Sequence, residues 1–387
     1  MARNDGFDGF DGFDGFDSSD GFAHGAERQA SGHIAGALTR SREGHLGRPS
    51  KTGINPVSFE FKPGLVRNWT EDGKQPNSAA STNVDDMPKP GPRWLVRMDA
   101  SRRAQVCVGE LMQKVRFDGD ILKLGTTAEL TLAPPKRSAF VNQVARVESW
   151  AALRSERMPE ILAQIPPQQP FWSSIVNLHP QTMPWTNELL AVAVALASET
   201  VQMVKYRMAC PRPWDYSPRI QPMIDVPGHF SWPSGHATQA FMVVEVLSSL
   251  LLRDDANLLP QWYEARQQLL RQAERIATNR VVAGLHFPID NDAGFVLGTR
   301  LGHMLVDEGR RSRTKMPDSP SLNAFGDVNG QSDFTLTALL KVSRLSGITQ
   351  IAALAFAGTL DPTGAPEMPI DWLWKRARSE WKDAGLV

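Results

Sequence analysis

Cysteine is scarce in this chain of 387 residues, which contains only Cys107 and Cys210. This number excludes a disulfide-rich scaffold and a cysteine-rich zinc site. A single bridge is still allowed, but two unpaired thiols are the expectation for so few cysteines. Disulfides therefore do not organise the predicted fold.

The chain also lacks net charge, since 42 basic residues balance 42 acidic ones. The broad basic surface that binds nucleic acid is therefore not expected, and nucleic acid is excluded as a predicted partner. Net charge does not exclude a small basic pocket. The apolar share of 41% and the charged share of 22% are those of a globular protein with a sizeable core.

Long apolar runs are missing as well: no stretch reaches the roughly 18 uninterrupted apolar residues of a membrane helix. The run 189–197 is bounded by Glu188 and Glu199, and the run 240–252 is broken by Glu245. Both are interpreted as buried core helices, so no integral membrane span is expected. The first residues contain no apolar signal region, and a soluble cytoplasmic protein is predicted.

The N-terminal part differs in character from the rest. Asp-Gly-Phe occurs five times between residues 5 and 22, a period that fits neither a helix nor a strand nor the calcium loop of an EF-hand. Residues 1–92 are predicted as a largely irregular extension, with one strand-like segment at 56–61. Residues 93–387 are predicted as a single catalytic domain.

That domain is predicted to be mainly helical. Proline pairs separate stretches in which apolar residues recur at helical spacing. A tryptophan-bearing segment, 370–382, is predicted as an amphipathic helix on the domain surface, and 121–133 is the best strand candidate. The predicted helices are 101–117, 139–164, 185–208, 236–253, 260–284, 291–308 and 334–357.

Three clusters carry the candidate chemistry. In the first, Lys205 and Arg212 are seven residues apart and would share one face of a helix that the following prolines end. In the second, Ser234, Gly235 and His236 form the start of an apolar helix. Free N–H groups and the helix dipole suit an oxyanion there, the Ser234 hydroxyl adds a donor, and His236 titrates near neutrality.

The third cluster contains Arg280, His286 and Asp290. Pro288 suits the first turn of a helix, so Asp290 would lie near His286, fix its tautomer and leave the other ring nitrogen free as a nucleophile or ligand. Each cluster alone has an ordinary structural interpretation, such as a capped helix or a structural His–Asp pair. Together they favour an oxyanion pocket, because clustered cations add little stability. His229 and Trp232 are possible pocket residues, although a backbone-bonded loop position is the simpler interpretation of His229.

The order and spacing of these clusters resemble the type 2 phosphatidic acid phosphatase and vanadium haloperoxidase superfamily. Its motifs are Lys, six residues, Arg-Pro; then Pro-Ser-Gly-His; then Ser-Arg, five residues, His, three residues, Asp. The chain matches all three within a motif core of 200–295, except that Asn279 replaces the usual Ser. The resemblance does not extend to 1–92.

The resemblance implies an all-α helical bundle of the acid phosphatase and haloperoxidase type, and a role for each matching residue. Lys205, Arg212 and Arg280 would bind the oxyanion together with Ser234 and the Gly235 backbone. His286 would attack phosphorus, or ligate vanadium if vanadate is the cofactor. His236 would be the general acid, Asp290 would orient His286, and no other metal would be required.

Three functions are compatible with this pocket. The first is a soluble, cofactor-free phosphatase that hydrolyses phosphate monoesters of a small substrate through a phosphohistidine. The second is a vanadium-dependent haloperoxidase, with hydrogen peroxide and halide as substrates, which a dry pocket lined by tryptophan would favour. The third is a non-catalytic module that binds an anion or a partner. The sequence leaves a homodimer open.

Overall fold

A computed structural model of the chain describes residues 91–125, 128–165, 168–251, 260–313, 332–335, 337–338, 359–360 and 367–386. Nearly all of the predicted extension 1–92, including its repeats and the segment 56–61, lies outside the described residues. So does most of the predicted helix 334–357. The division into an extension and a catalytic domain therefore stays a prediction.

The described chain is mainly helical, which confirms the all-α prediction. Short 3-10 turns at Pro92–Arg97 and Ala151–Leu153 accompany the α-helices. The α-helices are α1 (Ala100–Met112), α2 (Arg137–Trp150), α3 (Arg154–Ala163), α4 (Gln169–Ser173), α5 (Pro184–Met208), α6 (Pro213–Tyr216), α7 (Gly235–Leu250), α8 (Pro260–Val282), α9 (Pro288–Arg310) and α10 (Pro369–Asp383).

A small antiparallel sheet follows α1. It contains β1 (Val115–Asp118), β2 (Ile121–Leu124) and β3 (Ala128–Thr131), in that order, while β4 (Ser312–Arg313) and β5 (Thr359–Leu360) form a separate pair. The prediction of one helix over 101–117 was wrong at its end, because a turn after Met112 leads into β1. The predicted helix 139–164 is divided at the 3-10 turn into α2 and α3.

The centre of the bundle is the close contact between α7 and α9. Every residue of α9 from Pro288 to Gly309 is buried. Gly294, Gly298 and Gly302 recur every fourth residue and face α7, where a Cβ at Gly294 would lie only 2.7 Å from the Cβ of Ala237. Because the two backbones approach so closely, the beginnings of α7 and α9 are held together, and the Ser234 amide donates to the Asp290 carbonyl at 2.9 Å.

Gly298→Ala should destabilise the fold by roughly 1–3 kcal/mol, since its new methyl group would overlap the Thr238 carbonyl of α7. Gly109→Ala is the matched control. Gly109 lies within α1, and a Cβ there meets nothing within 4 Å, so alanine should stabilise the fold by about 0.5–1 kcal/mol. Urea unfolding of both variants measures the difference; equal changes would contradict the close packing of α7 on α9.

Helix α10 closes the opposite end of α5. The Glu380 carboxylate accepts hydrogen bonds from the backbone amides of Trp185 and Thr186 at 2.7 and 2.8 Å, and thereby caps the first turn of α5. The Trp381 indole donates to the Thr186 hydroxyl at 3.1 Å. The C-terminal helix is thus fixed to the helix that carries Lys205 in its last turn.

One stretch of the described chain, Pro184–Tyr216, is long and apolar enough to cross a membrane by length and composition. In the fold, 61% of its most apolar window is buried inside the protein. Buried core helices commonly have this composition, so hydropathy alone does not distinguish the two cases. Both cysteines are free thiols buried in the core, as expected from their number.

Candidate active site

The first cluster is assembled by a loop and not by one helix. Helix α5 ends where Ala209 takes a left-handed conformation with φ of 48°, so the prediction that Lys205 and Arg212 share a helix face was wrong. Lys205 is buried and its Nζ donates to the carbonyls of Phe230 and Ser231 at 2.7 and 2.6 Å. The ammonium therefore ties the end of α5 to the loop before α7.

Arg212 begins the short helix α6, and its buried guanidinium joins two other loops. Nε donates to the His229 carbonyl at 3.1 Å, and Nη1 donates to the Leu285 carbonyl at 2.8 Å. Nη1 also lies 3.1 Å from Nε2 of His286, and Nη2 lies 3.0 Å from Nδ1 of His229. Since a guanidinium can only donate, Nε2 of His286 acts as an acceptor. Nδ1 of His229 lies between Arg212 and a second neighbour, the Phe230 carbonyl at 3.1 Å.

Helix α7 begins at the second cluster. Ser234 is the buried N-cap residue, and its hydroxyl accepts from the Ala237 amide at 3.4 Å, which leaves the hydroxyl proton for another acceptor. Gly235 is the first helical residue. The first amides of a helix have no acceptor within it, so this end of α7 presents donors and a partial positive charge to an anion.

His286 and Asp290 form an oriented pair at the start of α9. His286 Nδ1 lies 2.9 Å from Asp290 Oδ2, and the same oxygen accepts from the Ser231 hydroxyl at 2.5 Å and from the Phe287 amide at 3.0 Å. With Nδ1 donating to the carboxylate, His286 carries the electron pair of its ring on Nε2, which accepts from Arg212 Nη1. Sequence reasoning missed Ser231, which has no motif of its own.

Arg280 and His236 meet at the end of α3. Arg280 is fully buried; its Nη2 donates to the Ile161 carbonyl at 3.1 Å and to Gln164 Oε1 at 3.0 Å. Its Nε and Nη1 have no partner among the described residues. His236 is only partly buried, and its Nε2 lies 3.2 Å from the Gln164 carbonyl. Two donors of Arg280 are therefore left for a ligand.

The two further pocket residues of the sequence analysis differ in their surroundings. His229 belongs to the site, because its ring and its carbonyl both bond Arg212. Trp232 is completely buried, and its indole N–H finds no acceptor in the described part of the chain. Cys210 lies nearby, but burial raises the pKa of its thiol to about 12, so it stays a neutral thiol.

The electrostatics of the site are those of an anion pocket. Burial lowers the pKa of Lys205 well below its usual range, and it lowers the pKa values of Arg212 and Arg280 to about 10. Burial also raises the pKa of Asp290 to about 6. Two buried guanidinium cations and the buried Lys205 amine thus face limited negative charge, and a multiply charged oxyanion would compensate the cations and favour the protonated form of Lys205.

The three histidines are neutral in this arrangement. Burial is the main cause, and the neighbouring cations add to it. The pKa of His236 falls to about 3, that of His229 falls to about 4, and that of His286 falls well below its usual range. A bound dianion would reverse the contribution of the cations and raise the pKa of a histidine beside it.

Comparison with known proteins finds one family model. Residues 188–308, which hold α6, α7, α8 and most of α5 and α9, match the PAP2 superfamily model. The match confirms the resemblance to this superfamily that the three motifs predict for this part of the chain. The match supports a function of the phosphatase or haloperoxidase type. No curated protein matches the chain.

Proposed function

We propose that the protein is a soluble phosphatase that hydrolyses phosphate monoesters through a phosphohistidine on His286. The observation that carries this proposal is the orientation of His286: Asp290 holds Nδ1, so Nε2 carries the electron pair of the ring. That pair accepts from the buried guanidinium of Arg212 and becomes available for attack when the guanidinium binds the phosphoryl oxygens. A nucleophile and an electrophilic clamp for the phosphoryl oxygens are therefore adjacent.

In the first step, Nε2 of His286 attacks phosphorus and the bond from phosphorus to the ester oxygen breaks. His236, protonated in the bound complex, gives its proton to that oxygen, and the alcohol leaves. Asp290 stabilises the positive charge that develops on His286. Lys205, Arg212, Arg280 and the start of α7 hold the three remaining phosphoryl oxygens, as phosphoryl transfer requires.

In the second step, a water attacks the phosphohistidine. His236, now neutral, takes the proton of that water, the bond from nitrogen to phosphorus breaks, and inorganic phosphate leaves. The scheme uses no cofactor. The only helical stretch of membrane-spanning composition in the described part of the chain is mostly buried, so we propose a soluble enzyme and a cytoplasmic location.

The proposal is tested by phosphate release from an aryl phosphate, with and without orthovanadate. Turnover that vanadate blocks is the expected result, since vanadate has the shape and charge of phosphate. If a folded protein binds vanadate and releases no phosphate, the phosphatase proposal is wrong. If it neither binds vanadate nor turns over, a non-catalytic module that binds a protein partner would take its place.

A vanadium-dependent haloperoxidase is the second candidate, and the unpaired donors of Arg280 in a largely buried cationic site favour it. A permanently held vanadate would satisfy these donors throughout the reaction cycle. Lys205, Arg212, Arg280 and Ser234 would hold it, and His286 would be its nitrogen ligand. Bound vanadate supplies a Lewis-acidic centre that activates hydrogen peroxide towards halide. Bromination of an organic dye by the vanadate-loaded protein tests this function.

The phosphatase should work best in acid, because His236 is a general acid whose pKa falls to about 3 in the anion-free pocket. Above that pKa, the protonated fraction of the free enzyme falls as the pH rises, whereas His286 stays neutral and nucleophilic. We expect kcat/KM for an alkyl phosphate to increase as the pH is lowered from about 8 to about 6. Below that pH the increase should level off, because Asp290 takes up a proton and no longer stabilises the positive charge on His286. Titration of the substrate contributes equally to the pH profiles of the wild type and of His236→Asn. The difference between these two profiles therefore gives the contribution of His236.

The same variant should discriminate between leaving groups. His236→Asn should lose on the order of 10²–10⁴ in kcat/KM for an alkyl phosphate, whose alkoxide needs a proton, and much less for a nitrophenyl phosphate. Equal losses on both esters would show that His236 does not protonate the leaving group.

A further inference from the structure

Gln164 is a buried side chain at the end of α3 that the motifs do not include. Its Oε1 accepts from Arg280 Nη2 at 3.0 Å and from Asn279 Nδ2 at 3.1 Å, while its Nε2 donates to Glu160 Oε1 at 3.1 Å. All polar atoms of the side-chain amide are thus engaged, and its rotation is fixed.

The network behind Gln164 reaches the protein surface. Glu160 is held by Arg275 in a bidentate pair with a contact of 2.7 Å, and Asn279 is held from its other side by Arg157 Nη1 at 3.2 Å. Asn279 stands where the family usually has Ser. A serine has a shorter side chain and no amide, so it could not bridge Gln164 and Arg157 in this way. Asn279, which departs from the family motif, is therefore paired with Gln164 at the end of another helix.

The hydrogen bond from Arg280 to Gln164 orients the guanidinium of Arg280. One of its nitrogens is committed to the Ile161 carbonyl and Gln164 Oε1, and the two nitrogens that remain, Nε and Nη1, are buried without a partner in the described structure. A guanidinium is planar, so fixing Nη2 fixes the directions of its other donors. Gln164 thereby determines which donors of Arg280 face the oxyanion.

Gln164 also determines which ring nitrogen of His236 carries a proton. The main-chain carbonyl of Gln164 can only accept a hydrogen bond, so Nε2 of His236 is the ring nitrogen that carries a proton and donates it. Nδ1 is then the ring nitrogen left to exchange a proton with the substrate. The same residue of α3 thus contacts both the phosphoryl clamp and the general acid.

We propose that Gln164 is a positioning residue for the reaction. Its side-chain amide directs Arg280 towards the phosphoryl group, and its main-chain carbonyl leaves Nδ1 of His236 as the acid–base nitrogen. This inference rests on the proposed function and adds to it a residue outside the family match, which begins at residue 188. It assigns α3 to the catalytic machinery.

The test is a double-mutant cycle with inorganic phosphate as the probe, measured by titration calorimetry. Gln164→Met keeps the length of the side chain and removes the acceptor, and we expect the Kd for phosphate to rise about tenfold or more. In an Arg280→Met background the same substitution should change the Kd less than about twofold, because its target is gone. A merely structural role would give the same penalty in both backgrounds.

Gln168→Met is the matched control. Gln168 is also buried, but neither polar atom of its side-chain amide has a partner among the described residues. The Kd of the Gln168→Met protein for phosphate should therefore stay at the wild-type value. If Gln164→Met fails to fold, Asn279→Ser loosens the same amide, and a rise in Kd of a few fold is expected.

The outcomes separate the two proposals. A Gln164→Met protein that binds phosphate as wild type does, or that loses equal affinity in both backgrounds, would overturn the positioning role while the phosphatase stands. A folded wild-type protein that neither binds phosphate nor hydrolyses its esters would instead remove the proposed function on which this role depends.

Discussion

His286→Ala is expected to abolish phosphatase turnover, with a loss in kcat on the order of 10⁴-fold or more, because among the described residues His286 is the one imidazole beside Arg212 that a carboxylate orients. The cations stay in place, so phosphate should still bind. Quenching with detergent at alkaline pH during turnover of a ³²P-labelled ester should trap a phosphoprotein in the wild type and none in the variant, because a phosphohistidine is stable in alkali and hydrolyses in acid.

His179→Ala is the control for this experiment. His179 is an exposed loop residue whose ring accepts a hydrogen bond from the nearby Gln181 amide, and its loss should leave turnover unchanged. Added imidazole should restore part of the turnover of His286→Ala by occupying the vacated volume. Full turnover in that variant would reject His286 as the nucleophile.

Arg280→Met should uncouple stability from oxyanion binding. The wild type should gain about 2.7 kcal/mol at a phosphate concentration a hundred times its Kd, which is roughly 3–4 °C in Tm for a protein of this length. The variant should lose most of this gain. Without phosphate it should melt at a higher temperature than the wild type, since methionine replaces a buried cation with two unpaired donors.

Arg102→Met supplies the comparison. Arg102 is exposed on α1, where it donates to Gln105 at 3.0 Å, and the rise in Tm caused by phosphate should persist in this variant. Thermal melts of the three proteins at several phosphate concentrations measure the effect. An undiminished phosphate shift in Arg280→Met would place the anion elsewhere.

Much of the scaffold could be predicted because its signals are local. The helix predicted over 185–208 corresponds to α5 at Pro184–Met208, and 370–382 corresponds to α10 at Pro369–Asp383, since apolar spacing and a leading proline define both. The segment 101–117 misled because Val115 and Phe117 continue an apolar pattern that also fits a strand. Local periodicity does not decide between the two when the segment is short.

The candidate site also contains residues that local spacing predicts and residues that only the tertiary structure brings in. Arg280, His286 and Asp290 follow from spacing, because one turn and one helix start hold them. Arg212 reaches its partners through a left-handed Ala209, a conformation that no motif predicts. Gln164 contacts a residue 115 positions later in the chain, so only the packing of α3 on α8 identifies it.

The cap that Glu380 places on α5 has a consequence for biosynthesis. Helix α5 holds Lys205 at its other end, yet its first turn is completed by a side chain translated nearly two hundred positions later. The nascent chain therefore carries every residue of the pocket long before α5 is secured, and α10 must emerge from the ribosome before the bundle can close. Enzyme activity should thus appear only after α10 has emerged, and a premature stop codon just before α10 should yield an inactive, chaperone-dependent protein.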